Sequence, residues 1–223
     1  MTGSTNPIAR AAISPRLEKF FQRVTPTRGR IIFALDATAS RQETWDLAAK
    51  LQSEMFEVAA TGGLDVQLVY YRGNGECIAS RWLADARSLA GIMFGIICRS
   101  GPTQIAKVLA HARKEHQREK VNALIIVSDA CEELPGRLYD AARALGDVPV
   151  FMFQERSSEI IHAIYAEIAR ITGGALASFD AGAGQRLADL LKAVAAFAAG
   201  GMKALADQSS EAATLLLTQM KKE

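Results

Sequence analysis

Ile31–Leu35 reads IIFAL and Ala123–Val127 reads ALIIV, two unbroken apolar runs that lead into Asp36 and, one serine later, into Asp129. A short run without polar alternation has the signature of a strand covered on both faces, the environment of a parallel sheet. A chain built on such strands needs helices above and below them.

The rest of the sequence supplies them. ETWDLAAKLQSEMFEVAA places Trp45, Ala48, Leu51, Met55 and Val58 at three- and four-residue spacing, a helix that Gly62-Gly63 ends. VQLVYY and ECIASRW read as strands. The Gly-Asn-Gly between them is too short for a crossover, so they form a hairpin whose second strand runs antiparallel. LADARSLAGIMFGII, QIAKVLAHARKEH, LPGRLYDAARALG and SSEIIHAIYAEIARITGG read as helices, and VPVFMFQ and ALASFD as the last strands. From Gly184 the chain is helical, with a break at Gly200-Gly201. The pattern predicts a doubly wound α/β fold: a mostly parallel six-stranded sheet, one antiparallel edge strand and helices on both faces.

Three segments follow. Residues 1–15 read as a loose tail. Residues 16–199 form the domain, with Leu17, Phe20, Phe21 and Val24 on a short docked helix and the core starting at about residue 30. Residues 200–223 are a C-terminal helical extension. Its apolar stripe of Met202, Leu205, Ala213, Leu216, Leu217 and Met220 suits docking on its own domain, or alternatively self-association or a partner.

At 49% hydrophobic and 22% charged residues the chain can bury a real core, and a net charge of +2 points to no nucleic-acid partner. Cys77, Cys98 and Cys131 are odd in number and far apart, which disfavours a disulfide framework or a zinc site. The N-terminus has no continuous apolar segment, and LADLLKAVAAFAAGGMKALA is broken by Asp189, Lys192, Lys203 and a glycine pair. Neither a signal peptide nor a membrane span is expected, and the cytoplasm is the default compartment.

In doubly wound sheets ligands sit beyond the carboxyl ends of the strands, where strand order reverses. If the strands ending in Asp36 and Asp129 flank that point, the two carboxylates share one crevice. Thr38 and Ser40 follow Asp36 at every second position, and Thr103 of SGPT opens a helix on the same side. Asp36, Thr38, Ser40, Thr103 and Asp129 offer only oxygen, a set that suits a hard divalent cation such as Mg²⁺ or Mn²⁺.

These residues carry a family resemblance. D-A-T-A-S at 36–40 resembles the D-x-S-x-S of the von Willebrand factor A (VWA) domain, G-P-T at 101–103 the loop that gives its threonine, and I-I-V-S-D at 125–129 the strand ending in its second aspartate. The element order from about Arg30 to about Ala199 also matches. The resemblance implies a metal-ion-dependent adhesion site. Thr38 and Ser40 would bind the metal directly, Thr103 directly or through water, and Asp36 and Asp129 would hold coordinated waters or switch inward. A partner protein's acidic residue would complete the coordination. Two positions depart from the family: Thr38 stands where serine is usual, and Ala130 where glycine often follows the aspartate. Glu132 and Glu133 lie close by and could compete for the cation or attract it.

Other readings stand beside this one. Ser40 with Glu43 is a capping-box pattern. G-A-G-Q-R-L at 182–187 resembles half of a dinucleotide loop but lacks its third glycine. His111 and His162 are expected at core edges and His116 in solvent. The run 113–120 is expected as a solvated face, and Cys131 as a semi-buried thiol. A metal-dependent phosphotransferase on a similar scaffold is the enzymatic alternative, and a metal-free VWA scaffold is another. An aspartyl phosphotransferase usually needs a second acid two residues after its nucleophile, where this chain has Thr38.

Overall fold

Strand β1 (Gly29–Asp36) is buried along its whole length, and its side chains alternate between two cores. Ile31, Phe33 and Leu35 point to one, Ile32 and Ala34 to the other. The computed structural model of the chain describes residues 28–58, 63–73, 75–156, 158–180 and 183–220. The N-terminal tail, the short docked helix and the Gly62 stop fall outside the described residues.

Five further strands complete the sheet: β2 (Leu64–Arg72), β3 (Glu76–Leu83), β4 (Ala123–Ser128), β5 (Val150–Glu155) and β6 (Ala175–Phe179). Their order is β3-β2-β1-β4-β5-β6, with β3 antiparallel and every other pairing parallel. Strand order therefore reverses between β1 and β4, the two strands that lead into Asp36 and Asp129.

Helices cover both faces. On the β1 odd-residue face lie α1 (Gln42–Leu51), α2 (Ser53–Val58), α3 (Ala86–Phe94), α7 (Gly184–Ala206) and α8 (Glu211–Met220). On the other lie α4 (Ile105–Arg118), α5 (Pro135–Leu145) and α6 (Glu159–Thr172). The sequence pattern gave α1 and α2 as one helix. The structure interrupts it at Gln52, which is 3% exposed and whose Nε2 donates to the Ala86 carbonyl (3.0 Å). That partner lies in a distant part of the chain, so the break has no local signature.

Helix α7 bends at Gly201, whose φ of 68° is open to glycine at little cost, and the chain then turns back into α8. Ala212, Ala213 and Leu216 of α8 join the main core. Gln219 reaches β6, where its amide accepts from Leu176 N–H (2.8 Å) and donates to Leu176 C=O (2.7 Å). A side-chain amide thus meets one residue of a sheet edge, which blunts that edge against further pairing. The α8 stripe is used on the chain's own body. None of the helices among the described residues is long and apolar enough to cross a membrane.

Candidate functional site

The site grows from the β1–β4 ladder. Leu35 pairs with Val127, so Asp36 at the end of β1 and Asp129 just past β4 leave the sheet as neighbours. Asp36 is 2% exposed. Its Oδ1 accepts the Thr38 N–H (2.8 Å), which turns the chain sharply after the strand. The Ser128 hydroxyl lies 3.2 Å from Asp36 Oδ2 and 3.1 Å from the Ala130 carbonyl, to which Tyr165 also donates (2.7 Å). Burial pushes the Asp36 carboxyl up. Hydrogen bonds from Thr38 and the Arg41 guanidinium oppose that rise, and the charge of Asp129 adds to it. The two little-exposed carboxylates act on each other at the ends of adjacent strands.

Asp129 has two unlike oxygens. Oδ2 lies 3.6 Å from Arg41 Nη1 and 4.0 Å from Nε of the largely exposed Arg156. Oδ1 is buried and has no hydrogen-bond partner. A buried carboxylate oxygen left alone is uncommon and points to a missing water, ion or ligand.

Sequence reasoning passed over Arg41. It closes the 3₁₀ turn Ala39–Arg41, is 1% exposed, and its Nη1 bonds Glu155 Oε2 at the end of β5. The Thr44 hydroxyl donates to the same oxygen. A signal for Glu155 existed: FMFQE is a third apolar strand running into a carboxylate, like the two that end in aspartate. Nothing local marks Arg41 as buried.

Thr103 is 4% exposed and sits on the loop before α4. That loop is pinned at two points. Arg99 N–H donates to the Ala37 carbonyl (2.9 Å), and Gly101 passes so close to Gly73 that a Cβ there would lie 2.2 Å from the Gly73 oxygen. Glu132 Oε2 accepts both the N–H (2.9 Å) and the hydroxyl (2.7 Å) of Thr103 and returns its own N–H to that hydroxyl (3.2 Å). A hydroxyl oxygen so used keeps one lone pair free. Burial works against the Glu132 charge, yet the Thr103 hydrogen bonds hold its carboxyl below the ordinary value. Glu133 accepts the Ala106 N–H (3.2 Å). Glu133 therefore caps α4, whose own N-cap residue, Gln104, makes no side-chain cap, while Glu132 holds the residue before Gln104.

Asp36 and Asp129 leave adjacent strands with Thr38 two residues after Asp36, and Thr103 is tied to the Asp129 loop through Glu132; Thr103 itself lines a surface pocket with Glu132, Glu133 and Arg137. Ser40 is exposed inside the 3₁₀ turn. It does not cap a helix: the N-cap positions belong to Thr38 and Arg41, so the capping-box pattern is not realised. His162 is exposed rather than at a core edge. His116 is half-buried rather than in solvent, because its ring accepts Val121 N–H (3.1 Å) and pairs with Asp147 (2.8 Å). Glu115, in the run expected to be solvated, is 7% exposed because Trp82 Nε1 donates to it (2.9 Å). Burial pushes the Cys131 thiol up and, with the charges of Asp36 and Asp46, pushes Cys98 up to about 11, so neither is an activated nucleophile.

The residues fit a hard dication. Among the described residues no three His, Cys, Asp or Glu side chains gather as a metal cluster, so a cation here would depend on hydroxyl oxygen as well as carboxylate. The buried Arg41 guanidinium lies against the buried Glu155 and the half-buried Asp129, and its charge is felt by the buried Asp36. Arg41 pairs first with Glu155 through Nη1, while its Nε has no partner; the two aspartates remain as the formal charge a divalent ion would balance.

No family model matches the chain, and no curated protein matches it. Solved structures do. The vWF domain of the type V pili tip protein Mfa5 from Porphyromonas gingivalis has 10% identity and a TM-score of 0.58 over 83% of this chain and 98% of that one. An aerotolerance-related membrane protein from Bacteroides fragilis has 17% identity and a TM-score of 0.56 over 74% and 98%. The ArnB paralog VWA2 from Sulfolobus acidocaldarius has 12% identity and a TM-score of 0.52 over 76% of this chain and 46% of that one. At such identities the likeness is one of fold, and the fold is the VWA/Rossmann-like one, with five strands parallel and one antiparallel.

Proposed function

We propose that the protein is a protein-binding module that holds Mg²⁺ or Mn²⁺ in the Asp36–Asp129 crevice and engages an acidic residue of a partner protein. The observation that carries this is the buried, unpartnered Oδ1 of Asp129 beside a second carboxylate, at the point where strand order reverses. Asp36, Thr38, Ser40, Thr103 and Asp129 would hold the ion. Thr38 N–H and Ser128 fix the Asp36 carboxylate, and Glu132 fixes Thr103 with one lone pair to spare. When bound, the cation would supply a positive centre that attracts a carboxylate from outside. Phe94 at the end of α3, Ile97 on the loop after it and Leu134 just before α5 are 65%, 67% and 77% exposed, apolar surface that a partner would cover. Arg72, the last residue of β2, donates to the Ile97 carbonyl and so ties that loop to the edge.

The test is a thermal melt of the whole chain with Mg²⁺ or Mn²⁺ and with chelator. An ion at about a hundred times its Kd stabilises by ~2.7 kcal/mol, a Tm rise of roughly 5–10 °C for a domain of this size. Asp129→Ala and Thr103→Ala lose that rise. Asp36-dependent turnover of a phosphomonoester would replace the proposal with the enzymatic alternative. The burial of Arg41 favours a second reading, in which the protein's own cation serves the crevice and the fold is a metal-free scaffold. Melts indifferent to divalent ions in the wild type would support it.

A further inference from the structure

We infer that Arg41 sets how tightly the crevice holds a cation, by competing with it for Asp129. The inference rests on the cation reading of the site. Arg41 is an unusual neighbour for such a centre: a guanidinium 1% exposed, with Nη1 3.6 Å from the Asp129 oxygen that is not orphaned. Its charge is permanent, because arginine does not lose its proton in proteins. It is also held in place. Glu155, 2% exposed, bonds the same nitrogen, and Thr44 braces Glu155 from α1.

Two consequences follow from this geometry. First, Asp129 is shared: one oxygen lies 3.6 Å from the Arg41 guanidinium and the other is buried without a partner, so a positive group already stands beside the residue before any ion arrives. A positive group a few ångströms from a cation's ligand weakens that ligand, and low local dielectric strengthens the effect. Second, Glu155 limits the damage by drawing Arg41 toward β5. The balance of the Arg41–Glu155 pair therefore fixes the charge that Asp129 presents. Arg41 is a positioning residue here, since it would touch Asp129 and not the ion.

Mn²⁺ binding to the full chain, read from the loss of the free-ion electron spin resonance signal, tests this. Replacing both members of the pair, Arg41→Met with Glu155→Met, removes the competitor without leaving an unpaired buried charge. The double variant is expected to bind Mn²⁺ about tenfold more tightly than wild type, the size of effect that one nearby charge has on a partly buried group. Glu155→Gln, which frees Arg41 for Asp129, is expected to bind about tenfold more weakly. Arg41→Lys keeps the charge and is expected to bind within about threefold of wild type, which separates charge from packing. If wild type binds Mn²⁺ and the double variant binds no more tightly, the role of Arg41 falls while the cation site stands. Should the double variant fail to fold by circular dichroism, unchanged binding in Glu155→Gln overturns the proposal in its place. If neither wild type nor any variant takes up Mn²⁺, the cation site and the role of Arg41 fall together.

Discussion

Two clusters of buried polar groups lie on this sheet, and they are finished to different degrees. The first, over β2 and β3, is complete at its centre. Gln67 donates to Ser80 C=O (3.0 Å) and accepts from His111 (2.8 Å), while Glu115 accepts from Trp82 (2.9 Å) and Arg118 (2.8 Å). The second, at the carboxyl ends of β1, β4 and β5, contains Asp36, Asp129, Glu155 and Arg41 and leaves both Asp129 Oδ1 and Arg41 Nε without a hydrogen-bond partner. Buried polar groups that find all their partners hold a structure together, whereas an orphan is tolerated where something else is to be bound. Among the described residues the orphaned atoms also include Gln52 Oε1, Tyr71 OH and Gln104 Oε1, and Asp129 Oδ1 is the one that belongs to a carboxylate.

The largest effect should come from breaking the one fully buried ion pair in the second cluster. Arg41→Ala leaves Glu155 charged and 2% exposed, with only the Thr44 hydroxyl beside it. Stranding a buried charge costs about 3–5 kcal/mol. Calorimetry should show Tm lowered by roughly 10 °C or more.

The complete cluster should respond less. Trp82→Phe removes the indole donor from Glu115 but leaves Arg118 in place, so the loss is that of one hydrogen bond to a charged group, about 1.5–3 kcal/mol. Urea unfolding of the two variants side by side measures the contrast. Equal losses would mean that the two clusters are energetically alike, and the distinction drawn from their hydrogen bonding would fail.

The orphan itself should be nearly free to change. Asp129→Asn takes nothing from Oδ1, which has no partner to lose, and it removes one of the charges that lift the Asp36 carboxyl. Without divalent ions its stability should fall by about 1 kcal/mol, because the change weakens the 3.6 Å contact of Oδ2 with Arg41 while Glu155, the main partner of Arg41, stays in place. The Asp36 titration followed by NMR should move down. A large loss of stability would show Asp129 to be a structural residue.

The sequence made some of this legible and concealed the rest for a physical reason. Strands covered on both faces must be apolar at every position, so β1 and β4 stood out, and with them the aspartates at their ends. The hairpin was legible because three residues cannot carry a crossover. Arg41 and Glu155 are 114 positions apart, and neither carries a local mark of the other. Glu132 and Glu133 read as acids that could compete for a cation or attract it, yet Glu132 holds Thr103, 29 positions upstream, and Glu133 caps the helix that follows. Gln52 breaks a helix for a carbonyl 34 positions away. Periodicity reports which face a residue occupies, while partners of this kind are chosen by the fold.

The smallest effect concerns pH and belongs to the complete cluster. His111 Nε2 meets the Gln67 amide oxygen, which can only accept, so that nitrogen carries hydrogen. Burial pulls the His111 pKa below its ordinary 6.5. Glu115 opposes the shift, and Lys114 and Arg118 add to it. The unfolded chain then takes up a proton on this ring more readily than the folded one. The contribution is intact above about pH 6.5 and is lost as pH falls through the lower folded value. Urea midpoints at pH 7.5 and pH 5.5 should therefore separate further in wild type than in His111→Gln, which keeps an amide donor for Gln67 and cannot titrate. Equal separations would mean that His111 contributes nothing to the acid sensitivity. The Gln67–His111 contact would then be geometry without a proton-linked consequence, and the acid sensitivity of the fold would have to come from other groups.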